Sequence, residues 1–196
     1  MYKETLKKYL DDLAAEKPAP GGGSAAALTA AVGAALLSMV CNFTLGKEKY
    51  KAYEIDIRNI LTQAEKLRAE LLLLVDADVA GYKKLSAAYQ LPVNTPEEKK
   101  KRAQAVQDGL KEAVSAPLNV CKCCREGIKL APALVGKGNV NLISDVGVAV
   151  FFLEAAYQAA MLNVDINLRG IKDKEFILKI RAISEPLGAE IEAVRS

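Results

Sequence analysis

Residues 48–90, EKYKAYEIDIRNILTQAEKLRAELLLLVDADVAGYKKLSAAYQ, contain no proline and a single glycine, Gly81. Within them Tyr53, Ile57, Ile60, Ala64, Leu67, Leu71 and Leu74 recur at alternating four- and three-residue steps. That spacing is the seam of a helix packed in a bundle. A helix of about 40 residues is about 60 Å long at about 1.5 Å per residue. A compact chain must lay other helices alongside it, so the expected fold is all-α, an antiparallel helical bundle with long helices. Carried on, the register reaches Asp78, Tyr82, Leu85 and Tyr89. Asp78 follows the wholly apolar run of residues 71–75 and is expected to be partly buried. Burial disfavours an ionised carboxylate and raises its proton affinity, which suits a group that takes and returns a proton near neutrality. Asp76, two residues away, faces roughly the other side. An Asp78 paired with Lys or Arg, or a slipped register with Asp76 inward, meets the same pattern.

On the N-terminal side, residues 2–17 place Leu6, Leu10 and Leu13 on one face of a short amphipathic helix. Pro18-Ala19-Pro20-Gly21-Gly22-Gly23 ends it. Ser24 is the expected N-cap of an apolar helix running to about Leu45, with Gly46 and Lys47 suiting its C-terminal end. Residues 25–45 carry no charge and are long enough to raise the question of a membrane span. Small residues dominate them, so they read as a central core helix, and no membrane partner is expected. The first apolar run comes only after Asp11, Asp12 and Glu16, unlike a secretory signal, and a cytoplasmic protein is expected. The Gly21-Gly22-Gly23-Ser24 turn allows positive φ, close approach of a ligand, and free N–H groups for an anion. A plain hinge between two antiparallel helices explains it equally well.

On the C-terminal side, Thr95-Pro96-Glu97-Glu98 has the capping-box arrangement and opens a helix over 96–115. Pro117 is expected to kink or interrupt it before it continues through the cysteines to about Leu134. Cys121, Cys123 and Cys124, with Cys41, lack the paired spacing of a zinc site. They read as reduced, small core residues, and no metal is expected. Residues 136–139 form a loop. Ser144 or Asp145 caps a second apolar helix over 146–162. Residues 163–170 are ambiguous, because Val164, Ile166 and Leu168 alternate like a strand. Asp173 caps a last helix from Lys174, with Pro186 interrupting it. Asn139, Asn141, Ser144 and Asp145 stand before the apolar helix, and Asn163, Asp165 and Asn167 near its other end. Such polar groups must find protein or ligand partners.

The chain has 196 residues, 27 Lys and Arg against 24 Asp and Glu, a net charge of +3, and 51% hydrophobic residues. It can bury a core, and no linker or repeat divides it, so one domain over 1–196 is expected. The weak positive charge, without a basic stripe interleaved with aromatics, excludes nucleic acid as the expected partner. Histidine is absent. That removes Ser-His-Asp and Cys-His pairs and imidazole-dependent zinc sites. Any proton carrier must be a carboxylate, Lys, Tyr, Cys or water.

Five separated segments carry a resemblance: residues 20–27 (PGGGSAAA), 74–78 (LVDAD), 91–99 (LPVNTPEEK), Gly138-Asn139 with Ser144-Asp145, and 163–168 (NVDINL). In this order, over nearly the whole chain, they are similar to the formiminotetrahydrofolate cyclodeaminase/methenyltetrahydrofolate cyclohydrolase family. The resemblance implies an all-α homodimeric domain acting on the one-carbon unit of tetrahydrofolate, with no cofactor beyond that substrate. It implies that Asp78, already placed inward by the seam, is the catalytic residue. The first expectation is conversion of 5-formiminotetrahydrofolate to 5,10-methenyltetrahydrofolate with loss of ammonia. The alternative is hydrolysis of the methenyl compound to 10-formyltetrahydrofolate; a non-enzymatic helical dimer is a third, of another class. Asp145 is the candidate to face the developing cation. Gly21, Gly22, Gly23, Ser24, Tyr82, Asn139, Asn141 and Ser144 are the candidate substrate-binding residues.

Overall fold

The computed structural model describes residues 6–195. Its order is α1 (Leu6–Ala14), α2 (Gly22–Thr44), a 3-10 turn (Glu48–Tyr53), α3 (Glu54–Tyr89), α4 (Pro96–Ala113), α5 (Ser115–Lys137), a second 3-10 turn (Val140–Leu142), α6 (Ile143–Arg169) and α7 (Lys174–Arg195). There is no strand among the described residues. The all-α expectation holds.

α2 is the central helix, packed on α3, α5 and α6. Its side chains are mostly Ala, Gly and Ser, so neighbouring backbones come close. Gly33 and Gly127 show how close. A Cβ on either would fall 2.9 Å from a carbon of Leu153, which α6 inserts between α2 and α5. α2 and α6 are both long and apolar enough to cross a membrane, but most of α2 is covered by the other helices.

The seam on α3 is buried at Ile57, Ile60, Ala64, Leu71, Leu74 and Leu85, with Leu67 packed against the core, but Tyr53 is exposed in the preceding 3-10 turn and Tyr82 and Tyr89 are half-exposed. Two apolar clusters result. The larger surrounds α2 and takes in Leu74 and Val75. The smaller gathers Leu85, Leu110, Val114, Leu118, Val164, Leu168, Ile171 and Ile180. Asp78 lies between the two on α3.

Several local expectations are corrected. In α1 the buried residue is Tyr9, while Leu6 and Leu10 are exposed; residues 2–5 of the expected helix lie outside the described residues. α2 starts two residues before Ser24, with Gly21 as N-cap. Residues 48–53 form a 3-10 turn rather than the start of the long helix, because buried Tyr50 is tied to the Asn139 loop. The chain breaks at Val114, not at Pro117. Pro117 falls in the first turn of α5, where no N–H is needed for the helix. Residues 163–169 continue α6. Val164 and Leu168 are one helical turn apart and buried, whereas Ile166 points outward, so the alternation was a helical face. α7 passes through Pro186, held by Ile180, Leu187 and Ile191 on one buried face. α6 starts at Ile143, so Ser144 and Asp145 sit in its first turn and neither is the N-cap. The expected box at Thr95 and cap at Asp173 are present: Thr95 and Glu98 cap each other reciprocally, and Asp173 accepts from Phe176 N–H at 3.0 Å.

Candidate active site

A cavity of about 640 Å³ opens where the two clusters meet. Pro18, Ala19 and the three glycines form one wall, α3 from Leu74 to Leu85 another, and the α4–α5 junction with the end of α6 the rest. Its walls are largely apolar. The ionisable side chains on it are Asp78, Glu112 and, at the rim, the half-exposed Tyr82. Glu112 is engaged in an ion pair with Lys84.

Asp78 reaches across from α3 to the start of α2. A Cβ on Gly23 would fall 2.1 Å from Asp78 Oδ1 and 2.7 Å from Oδ2. The glycine is what admits the carboxylate. The Ser24 N–H donates to it, one of the first-turn N–H groups that a helix leaves free. Burial is the larger influence and pushes the Asp78 pKa above the usual carboxylate range, with the Ser24 N–H opposing it. The Gly21–Ser24 turn therefore holds an anion, but the anion is the protein's own carboxylate.

The turn is itself pinned. The Ser24 hydroxyl donates to Gly21 O at 3.0 Å and lies 3.0 Å from the buried Tyr9 hydroxyl. Since the serine proton is committed to Gly21, the tyrosine is the donor of that pair. α1 thus sets the turn on which Asp78 rests.

Gly21, Gly22, Gly23, Asp78 and Tyr82 are brought together on this cavity, with Ser24 directly beneath. Asp145, Asn139, Asn141 and Ser144 are not. They stand at the opposite end of α2 and α6. From Asp145 to Asn163, which borders the cavity, α6 rises roughly 27 Å at about 1.5 Å per residue. Within one chain Asp145 does not face the same space as Asp78. Asn139 is spent on structure. Its N–H donates to Thr44 Oγ1 at 2.9 Å, its amide to Phe43 O at 3.2 Å, and its Oδ1 accepts from Asn141 N–H at 3.1 Å and Tyr50 at 3.4 Å. It ties the loop after α5 to the end of α2.

Asn119, Asn163 and Asn167 line the cavity and were absent from the candidate set. The signal for the last two was their four-residue spacing, which places them on one face once α6 is read as a helix. Asn119 and Glu112 carried no sequence signal. The cysteines lie away from the cavity: all four are buried and free, and burial pushes Cys41, Cys121 and Cys123 up to about 12. Among the described residues no cluster of three or more His, Cys, Asp or Glu is arranged to hold a metal.

Comparison with known proteins is consistent along the chain. The Formiminotransferase-cyclodeaminase family profile matches residues 5–185. A methenyltetrahydrofolate cyclohydrolase of Methylorubrum extorquens is 47% identical over 173 residues, covering 88% of this chain and 83% of that protein. The formimidoyltransferase-cyclodeaminase of Rattus norvegicus is 37% identical over 177 residues, covering 90% of this chain but only 33% of the rat protein. The crystal structure of formiminotetrahydrofolate cyclodeaminase from Thermotoga maritima superposes with a TM-score of 0.88 at 32% identity, covering 98% of this chain and 92% of that one. These matches place the chain in the formiminotransferase-cyclodeaminase family.

Proposed function

We propose that this chain is a folate one-carbon enzyme that hydrolyses 5,10-methenyltetrahydrofolate to 10-formyltetrahydrofolate, with Asp78 as its proton carrier. The observation that carries the proposal is the Asp78 carboxylate, held at a largely apolar cavity with raised proton affinity. Similarity to the stand-alone cyclohydrolase of Methylorubrum extorquens, over most of both lengths, supports the choice of reaction.

The methenyl bridge is a cation delocalised over N5 and N10. Water attacks the bridge carbon while Asp78 removes one of its protons. The resulting hydroxyl adduct collapses as the carbon–N5 bond breaks. Asp78 returns its proton to N5, the hydroxyl proton leaves to solvent, and the formyl group stays on N10. A buried carboxylate next to the bridge also favours the cation over neutral competitors. Asp145 takes no step in this scheme, because it lies at the other end of its own helix. Lys84, paired with Glu112 of the cavity wall, is the cation at hand for the anionic glutamate tail. The reaction needs no cofactor beyond the folate itself.

The deamination reading has its own support in the Thermotoga maritima structure. There N10 attacks the formimino carbon, and Asp78 carries the N10 proton to the departing ammonia. Both assays on purified protein separate the readings. The hydrolase consumes the methenyl absorbance, and the deaminase generates it from the formimino compound. No change in either assay would refute both and leave a binding protein.

A homodimer is the assembly we propose. Phe151, Leu162 and Ile166 on α6, and Val32 and Phe43 on the adjoining α2, are exposed large apolar side chains. Such faces mark protein contacts. Four free buried thiols fit a reducing compartment and a cytoplasmic location. Sedimentation at micromolar concentration tests the dimer.

A further inference from the structure

Three asparagines line the cavity, and their hydrogen bonds fix which way each carboxamide is turned. Asn167 donates its amide group to Asn163 O at 2.9 Å and to Ala113 O at 3.3 Å. A backbone carbonyl only accepts, so the atom facing it is the nitrogen. Both amide hydrogens of Asn167 are committed, and its Oδ1 remains as a pure acceptor. Asn163 donates to Ala159 O at 2.8 Å, which turns it the same way. Its side chain stands within 4 Å of where a Cβ on Gly22 would be, beside the Asp78 turn. Asn119 is turned the other way. Its Oδ1 accepts from Lys122 Nζ at 3.3 Å, so its amide N–H groups are the part left over.

We infer that Asn163 and Asn167 are specificity-determining residues that accept hydrogen bonds from the 2-amino and N3–H groups of a reduced pterin, with Asn119 donating to its 4-oxo oxygen. This inference rests on the folate reading above and names the part of the substrate that the cavity recognises. A ring edge carrying two donors and one acceptor is the complement of two carboxamide oxygens and one carboxamide N–H. Two acceptors committed by their own helix backbone need no rearrangement on binding. They also reject a ring without those donors, because a buried acceptor would then be left unpaired. The three carboxamides stand on α6 and α5, whereas Asp78 stands on α3, so recognition of the ring edge and proton transfer fall to different helices.

The test measures equilibrium binding of tetrahydrofolate, which is not turned over, and of an analogue with a 2-methyl group in place of the 2-amino group. Wild-type protein should bind the analogue about tenfold more weakly or worse. Asn163→Leu and Asn167→Leu should bind tetrahydrofolate more weakly, and the gap between the two ligands should shrink to within about threefold. Asn163→Leu is the safer variant, since it leaves the Ala113 contact in place. Wild-type discrimination alone keeps the test decisive if neither variant folds. Equal binding of both ligands by wild type, or an unchanged gap in a folded variant, overturns the inference while leaving the folate reading intact. A variant that loses kcat with no change in the gap also overturns it, because the oxygens would then be facing the cationic bridge. Absence of any tetrahydrofolate binding by wild type, together with no turnover of the methenyl compound, removes the folate reading and this inference with it.

Discussion

Gly23 and Asp78 occupy one another's space: a methyl group on the first would sit 2.1 Å from Oδ1 of the second. The carboxylate is therefore placed by the absence of a side chain on a different helix. Gly23→Ala should displace it by about an ångström, and displacements of that size cost about 10²-fold in rate. The expected result is a loss of that order in kcat/KM, with the helical circular dichroism unchanged. A rate near wild type would mean that the proton carrier is not held here.

Asp78→Asn should nearly abolish turnover, since general base catalysis supplies about 10²–10⁴-fold. It should also stabilise the fold at neutral pH. The folded-state pKa of Asp78 is raised by burial, so the folded state binds this proton more tightly than the unfolded state does. The ionised carboxylate thus costs stability as pH rises from its ordinary value through its raised one, and the cost stays in full above that. Thermal melts should show the variant above wild type at neutral pH and level with it in acid, below the ordinary carboxylate range. A variant less stable than wild type at neutral pH would contradict the burial argument.

Tyr9 acts on the same carboxylate through Ser24. Tyr9→Phe removes the buried donor at 3.0 Å from the Ser24 hydroxyl and loosens the turn whose N–H opposes the rise in the Asp78 pKa. The acid limb of the kcat/KM–pH profile should therefore move to higher pH, in addition to any loss of stability. A lower melting temperature with an unmoved limb would make Tyr9 a packing residue only.

The far end of the molecule should behave oppositely. Asn139→Ala leaves the Tyr50 hydroxyl, the Asn141 N–H and the Phe43 carbonyl with fewer partners, while the backbone bond to Thr44 stays, and an unmet buried group costs about 1–3 kcal/mol. Thermal stability should fall while kcat is retained at permissive temperature. Asp145→Asn, in the first turn of α6, should leave kcat within a few-fold of wild type. A large loss there would show that a second copy brings Asp145 to the cavity.

The thiols should be silent. Cys41, Cys121 and Cys123 are buried, with pKa values pushed up to about 12, and burial likewise raises Cys124 well above the usual thiol value. The thiolate is the reactive form. A thiol reagent at pH 8 should label none of the four in the folded protein and all of them in denaturant, with activity unaffected by the first treatment.

The long seam and Asp78 were legible because each depends on periodicity within one helix. What lay hidden depended on a second element. Val164, Ile166 and Leu168 alternate in sequence, and only the neighbouring helices show that Val164 and Leu168 face inward together while Ile166 faces out. Reading those residues as a possible strand concealed the pairing of Asn163 with Asn167 on the cavity side. Asn139 and Asp145 were misplaced for the same reason. They stand just before and in the first turn of an apolar helix whose other end, about five helical turns on, borders the cavity. The glycine turn was ambiguous between hinge and anion site, and the structure gives it a third use, as a seat for Asp78. The leucine spacing of α1 gives no sign of Tyr9, yet its hydroxyl has a buried partner, whereas Leu6 and Leu10 are exposed and Leu13 is only partly buried.

Leu153 sits where Gly33 of α2 and Gly127 of α5 leave room for it, so one isobutyl group gauges the separation of three helices. Enlarging either glycine would lever α6 outward about a fixed point. Asn163 and Asn167 are farther along that same rod, beyond the fulcrum. Drift at this distant contact would consequently be felt as a change in the width of the substrate chamber, and Leu153 can shrink only in step with the two positions that receive it.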